Sequence, residues 1–146
     1  MQKLIMLSAA LSMMVFKPAL AEDAQTPDAQ AKPAQNCVQI VRLRQSHVLD
    51  DQTIVFEARG SDYYLNELPQ RCPRLGFEKS FTYATSLTQL CNVDIVTVLQ
   101  NFGGQFVRGA SCGLGKFQPI SKAEFADLRA QKRSKKKAGA AEQASR

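Results

Sequence analysis

The apolar positions along the chain fall into short runs with a period of two, broken by turn-forming residues, and not into the three-and-four spacing of an amphipathic helix. Thr53 to Arg59 places Ile54, Phe56 and Ala58 on one side, and Tyr63 to Leu68 follows directly after Gly60-Ser61-Asp62, a pattern that predicts a hairpin. Val38 to Leu49 also alternates, but its phase slips at Ile40-Val41, so this strand is expected to bulge or to change face. Phe81 to Ala84 is a fourth run and Val93 to Leu99 a nearly continuous apolar fifth. Phe106-Val107 and Leu114 to Phe117 lie in a sixth and a seventh, with Asn101-Phe102-Gly103-Gly104 turning between the fifth and the sixth. Seven short strands at this spacing predict a mostly β fold: a small antiparallel β roll, barrel or sandwich. One C-terminal α-helix completes it. Ser121 with Glu124 three residues on makes a capping box, and Ile120 ahead of the cap can pack on Phe125 as a hydrophobic staple. Phe125 and Leu128 share a face, which should lie against the edge of the sheet.

The regions outside these runs read differently. Lys3 supplies a positive start, Leu4 to Phe16 carries no charge, and Ala19-Leu20-Ala21 has small residues where a signal peptidase reads, so residues 1–21 are expected to be a signal peptide cleaved after Ala21. The apolar stretch is shorter than the roughly 20 residues a membrane-spanning helix needs. Residues 22–36, with Pro27, Pro33 and repeated Ala and Gln, contain no large apolar side chain and are expected to be a disordered spacer. Residues 37–130 are the expected β domain with its helix. Residues 131–146, beginning QKRSKKK, have no apolar side chain larger than Ala and are expected to fray into a disordered basic tail.

Composition changes this picture little, and charge changes it in one place. The chain has 146 residues, 45% of them hydrophobic, which is enough for one domain. Its formal net charge is +6, but without Lys3 and Lys17 of the leader 17 basic residues face 13 acidic ones. From Arg129 to Arg146 seven basic residues face one acid, Glu142, whereas Cys37 to Ser121 holds eight basic and seven acidic residues. The tail therefore carries the excess, and the β domain offers no field to steer a charged ligand. The cluster Lys132, Arg133, Lys135, Lys136 and Lys137 is suited to contact with a polyanion, such as an anionic envelope component; export argues against nucleic acid as that partner.

Four cysteines, Cys37, Cys72, Cys91 and Cys112, in an exported chain predict two disulfides. Three pairings are possible. Cys72 with Cys91 and Cys37 with Cys112 is favoured, since the first closes a short loop across Pro73 and the second ties the ends of the domain together. In the chain-entropy account such loops, of about 20 and about 76 residues, are worth roughly 3 and 4.5 kcal/mol. Redox catalysis would call for cysteines two apart at a helix start, and structural zinc for closely spaced ligand pairs. The gaps here are 35, 19 and 21 residues, so neither is expected. No metal and no cofactor is implied.

His47 is the single histidine, in the polar run Arg44-Gln45-Ser46-His47 ahead of Asp50 and Asp51. A hydrolytic set of Ser46 or Ser111, His47 and Asp50 can be written, but neighbours on a strand point to opposite faces and no Gly-x-Ser-x-Gly elbow is present. Asp50-Asp51-Gln52 reads as turn chemistry. Asp94 interrupts an apolar run and invites a structural hydrogen bond, with contact to a ligand as the minority reading. Gly103-Gly104 and Gly113-Leu114-Gly115-Lys116 lack the full phosphate-loop pattern and read as turns and bulges. Aromatic residues including Tyr63 and Tyr83 could line a stacking face for a small ligand near Asp94.

The strings Asp50-Asp51-Gln52-Thr53-Ile54-Val55-Phe56, Leu68-Pro69-Gln70-Arg71-Cys72-Pro73, Leu90-Cys91-Asn92-Val93-Asp94 and Cys112-Gly113-Leu114-Gly115, with Phe117 and Pro119, form a set spaced around the cysteines. From about Asn36 to Ile120 the chain resembles a family of small secreted proteobacterial proteins known only as a domain of unknown function. The resemblance implies a periplasmic setting and transfers neither an activity nor a site. The expectation is thus a monomeric periplasmic or secreted protein acting as a non-catalytic, envelope-associated interaction module, with an envelope protein or an anionic envelope component as its partner. A small-ligand binder using the aromatic face near Asp94 comes second, and a hydrolytic enzyme third.

Overall fold

The computed structural model describes residues 32–85 and 87–144. The leader expected over residues 1–21, and most of the spacer expected over 22–36, lie outside the described residues. The last residues of that spacer are already pinned: Gln35 exchanges both backbone hydrogen bonds with Phe117 (2.8 Å each), and Asn36 C=O accepts from Asn92 N–H. Order therefore begins before Cys37.

The fold is mostly antiparallel β, built of a four-stranded, a three-stranded and a two-stranded sheet, with a helix on the outer face of the four-stranded one. In chain order the elements are β1 (Cys37–Gln39), β2 (Leu43–Val48), β3 (Thr53–Ala58), β4 (Tyr63–Glu67), α1 (Leu75–Glu78), β5 (Phe81–Tyr83), β6 (Gln89–Cys91), β7 (Ile95–Phe102), β8 (Gln105–Gly113), β9 (Phe117–Ile120) and α2 (Lys122–Ala144). The phase slip at Ile40-Val41 is a 3-10 turn over Ile40–Arg42 that moves the chain between sheets: β1 pairs with β6, whereas β2 opens the four-stranded sheet β2-β3-β4-β9. The third sheet has the order β5-β7-β8.

Strand β3 explains the layering. Ile54 and Phe56 on one side, and Val55 on the other, are all essentially unexposed. Ile54 and Phe56 face the three-stranded sheet and pack with Val96, Val98, Leu90, Leu68 and Phe117 in the main core. Val55 faces the opposite way, into a smaller cluster with Tyr63 and Phe125 that α2 covers. A strand sandwiched in this way reads as the continuous apolar run Ile54-Val55-Phe56.

The run expected over Leu114 to Phe117 begins late, because Leu114, Gly115 and Lys116 form a loop ahead of β9. Asn66, fully buried on β4, holds that loop: its Nδ2 donates to Gly115 C=O (2.7 Å), and its Oδ1 accepts from Gly115 N–H (2.9 Å). Both polar ends of the amide are satisfied, as burial requires. Glycine is required there, since a Cβ on Gly115 would lie 2.0 Å from the Glu67 carbonyl oxygen.

Two expectations are corrected. The disulfides are Cys37–Cys91 and Cys72–Cys112, not Cys72–Cys91 and Cys37–Cys112. Strand register decides this: β1 and β6 pair with Cys37 directly opposite Cys91. Cys72, anchored by its N–H to Asp51 C=O, sits buried in the main core together with Cys112 of β8. The helix, moreover, does not end near Ala130 but runs as α2 to Ala144 across the expected disordered tail. The stretch from Gln131 is rich in Ala, Lys, Arg, Gln and Glu, which lose little side-chain freedom in a helix, so helicity persists there without apolar burial. Its start follows the capping box: Glu124 Oε2 accepts from Ser121 N–H (2.6 Å), and Ser121 Oγ accepts from Glu124 N–H (3.2 Å). The bond from Ser121 N–H holds the Glu124 carboxyl below its ordinary value.

Candidate functional site

The site forms where α2 crosses the turn between β2 and β3. That turn is closed locally, with Leu49 N–H donating to Thr53 C=O and Gln52 N–H donating to Asp50 Oδ1, each at 2.9 Å. It then gathers the segment that follows β4. Leu68 N–H donates to Gln52 C=O, the Gln52 amide returns a bond to Leu68 C=O, and Cys72 N–H donates to Asp51 C=O. The Asp51 carboxylate completes the join, accepting from Gly76 N–H (2.8 Å) on one oxygen and from Arg71 Nε and guanidinium NH2 (3.0 and 2.8 Å) on the other. Asp50-Asp51-Gln52 is thus turn chemistry that also fastens a neighbouring segment.

Helix α2 docks through Phe125, whose ring stacks on Tyr63 (centroids 5.2 Å, planes 21° apart) and touches His47 (4.9 Å). Lys132 lies seven residues on, two turns along the same stripe, and its Nζ donates to Asp50 Oδ2 (2.5 Å) and to Thr53 Oγ1 (3.2 Å). Partial burial acts to raise the Asp50 carboxyl. Hydrogen bonds from Lys132, Gln52 N–H and Thr53, with the Lys132 charge, outweigh that, so the group sits below its ordinary value. Lys135 and Lys136 continue the stripe at three and four residues beyond Lys132, where no apolar contact remains to be made.

The result is a cleft of about 890 Å3 between helix and turn. Arg71, Lys132, Lys135 and Lys136 bring positive charge to it, Asp50, Asp51 and Glu67 negative charge, and Phe77 an apolar wall. Asp51 answers Arg71, and Asp50 answers Lys132. Lys135 and Lys136 have no carboxylate partner among the described residues; with Glu67 as the third acid of the lining, four cations face three carboxylates, an excess of one positive charge.

Of the five residues expected to contact a polyanion, Lys132, Lys135 and Lys136 line this cleft, whereas Arg133 and Lys137 are exposed on the side of α2 turned away from the stripe. The residues expected to make a ligand face are not brought together. Tyr63 is buried beneath Phe125 under the helix. Tyr83 is half-buried against the main core on the other sheet. Asp94 Oδ2 accepts from Cys91 N–H (2.7 Å) and closes the turn between β6 and β7, a structural hydrogen bond. Nor do the hydrolytic residues assemble. His47 Nε2 meets Glu57 Oε2 at 3.1 Å, Ser111 Oγ pairs with Thr97 Oγ1 in the three-stranded sheet, and Asp50 is held by Lys132. Among the described residues no group of three His, Cys, Asp or Glu side chains is placed to hold a metal, and no helix is long and apolar enough to cross a membrane.

Arg71 and Phe77 were not singled out by the sequence patterns, since both stand in an irregular segment with no period. The stripe of Phe125, Leu128, Lys132, Lys135 and Lys136 was readable in principle: its spacings of three and four pass from apolar to cationic partway along one helix face.

These features define a class: a two-disulfide antiparallel β domain whose long C-terminal helix closes one side of a cationic cleft. The chain matches a family of unknown function (DUF6491) over residues 1–136 and belongs to that family. No curated protein and no solved structure matches it.

Proposed function

We propose that the protein is exported after cleavage following Ala21 and serves as an envelope-associated interaction module, binding an anionic group in the cleft beneath α2 without catalysing a reaction. The observation that carries this reading is the pair Lys135 and Lys136: they line a cleft whose other cations are already answered by Asp50 and Asp51. Two ammonium groups outside any ion pair, outnumbering the one remaining acid of the lining, Glu67, and set beside an apolar wall, favour a polyvalent anion, and such binding weakens as salt rises. Two disulfides and a neutral β body suit a binding scaffold in an oxidising compartment.

The test uses exported protein beginning at Glu22 and inorganic polyphosphate as the probe, titrated calorimetrically over a range of salt. The expected result is salt-sensitive binding that Lys135→Ala/Lys136→Ala weakens by about tenfold or more, with a shallower salt dependence. Binding that the double variant leaves intact, or no binding at low salt, would overturn the reading.

A further inference from the structure

Among the described residues, three exposed apolar side chains stand together at the tip of the β7–β8 hairpin, where Phe102, Phe106 and Val107 are 59%, 63% and 48% exposed. The tip is rigidly made. Gly103 and Gly104 both take positive φ (60° and 91°), and Gly104 N–H donates to Asn101 Oδ1 (2.9 Å), a tight turn that only glycine enters without strain. Register fixes where the side chains point. Asn101 pairs with Phe106 and Phe102 with Gln105, so the two phenylalanines stand on opposite faces of the hairpin. Val107, opposite Gln100, shares the face of Phe102. An apolar group on each face cannot be covered by the core, which lies on one side only, and Gln105 to Arg108 are all exposed. The tip is a wedge that projects beyond the packed part of its sheet.

Charge says what the wedge meets. From Ile95 to Gly113 there is no carboxylate, and Arg108 is the single ionisable side chain. The hairpin is also tied to the cleft through α1. Phe77, 75% exposed, lines the cleft. Its neighbour Glu78 accepts from Asn101 N–H at the base of the tip (3.4 Å), and Leu99 N–H donates to Ser80 C=O just beyond. One short helix therefore carries both a residue that lines the cleft with Lys135 and Lys136 and the carboxylate bonded to the root of the aromatic tip.

We infer that this joined surface docks on an anionic lipid bilayer, with Phe102 and Phe106 entering the interface between headgroups and acyl chains while Lys135 and Lys136 meet the lipid phosphates. Apolar side chains for depth and cations for attraction are the two contributions that bind a peripheral protein to such a surface. Asparagine and glutamine at the tip (Asn101, Gln100, Gln105) place hydrogen-bonding groups at headgroup level. The lysine half of this inference rests on the function proposed above; the hairpin half stands on its own observations.

The experiment is co-sedimentation of the exported chain with vesicles of neutral phosphatidylcholine and with vesicles containing phosphatidylglycerol, comparing wild type with Phe102→Ser/Phe106→Ser and with Lys135→Ala/Lys136→Ala. Both phenylalanines are exposed, so exchange protection of Val96 and Val98 should be unchanged in the first variant and certifies its fold. The expected result is binding to anionic vesicles, cut on the order of tenfold or more by removing the phenylalanines, with polyphosphate binding by that variant intact. If the phenylalanine variant sediments as wild type does, the bilayer inference falls and the anion-binding reading survives. If neither vesicles nor polyphosphate are bound, both fall. Concentration-dependent dimerisation that the phenylalanine variant abolishes, without vesicle binding, would overturn the inference in favour of a second copy pairing along the β8 edge.

Discussion

Phe125→Ala is the perturbation that best isolates the helix from the body it covers. Phe125 is 8% exposed and is the deepest side chain that α2 contributes, stacked on Tyr63 and touching His47. Truncating a phenylalanine at such a site costs about 3–5 kcal/mol. What remains to hold the helix is slight. The Lys132–Asp50 pair is partly exposed and is worth about 1 kcal/mol or less, and Leu128 is only half-buried. A loss of about 3 kcal/mol lowers the ratio of docked to undocked helix about 100-fold. The main core, in which Phe125 has no part, should stay folded. Hydrogen exchange read by mass spectrometry is the assay: peptides from residues 122–136 should lose protection, those from 53–65 partly, and those covering Leu90 to Val98 not at all. Unchanged protection along α2 would refute the view that one aromatic ring carries the docking. Loss of protection throughout the chain would refute the separation of the two clusters.

Two further outcomes follow from the same geometry. Gly115→Ala drives a Cβ into the Glu67 carbonyl and disturbs both bonds to Asn66; a loss of about 3 kcal/mol is expected, a fall of about 10 °C or more in the thermal midpoint of the oxidised protein. The Asp50 carboxyl, lowered from its ordinary 3.8 chiefly against the effect of burial, favours the docked helix in its charged form. Its contribution is complete above the unfolded value of 3.8 and is lost as pH falls through the lower folded value, so α2 amide shifts followed by NMR should move in that acid range in wild type and not in Asp50→Asn.

Much of the fold was legible because alternation reports a buried face wherever a strand is long enough to show it, as at Thr53–Ala58 and Tyr63–Glu67. Strand β6 was not, since three residues with one apolar member, Leu90, carry no period. Helix α1 is likewise hidden: its four residues lie between Arg74 and Lys79, both in the left-handed region, and tertiary contacts hold them there. Only Phe106-Val107 marked β8, because Arg108 to Ser111 are polar or small where the strand lies at an edge. The cysteine pairing is hidden because the closure entropies of the alternative loops differ by only about 1 kcal/mol, and the register of β1 against β6, which sets Cys37 opposite Cys91, has no pattern in three-residue strands. The cleft is hidden for a related reason: the apolar side chains of the helix face end at Leu128, and beyond it the face carries a lysine at a carboxylate and two lysines outside any ion pair.

The two disulfides interleave, each bridging one cysteine of the other pair: Cys37, Cys72, Cys91 and Cys112 join first to third and second to fourth. For a chain delivered N-terminus first into an oxidising compartment, the order of arrival then works against the order of pairing. In such a delivery Cys37 and Cys72 would precede both native partners, so a bond formed between them would be one the finished protein does not contain. Thiolate attack by Cys91 or Cys112 would then have to undo that bond, and maturation by this route would call on disulfide exchange as well as oxidation.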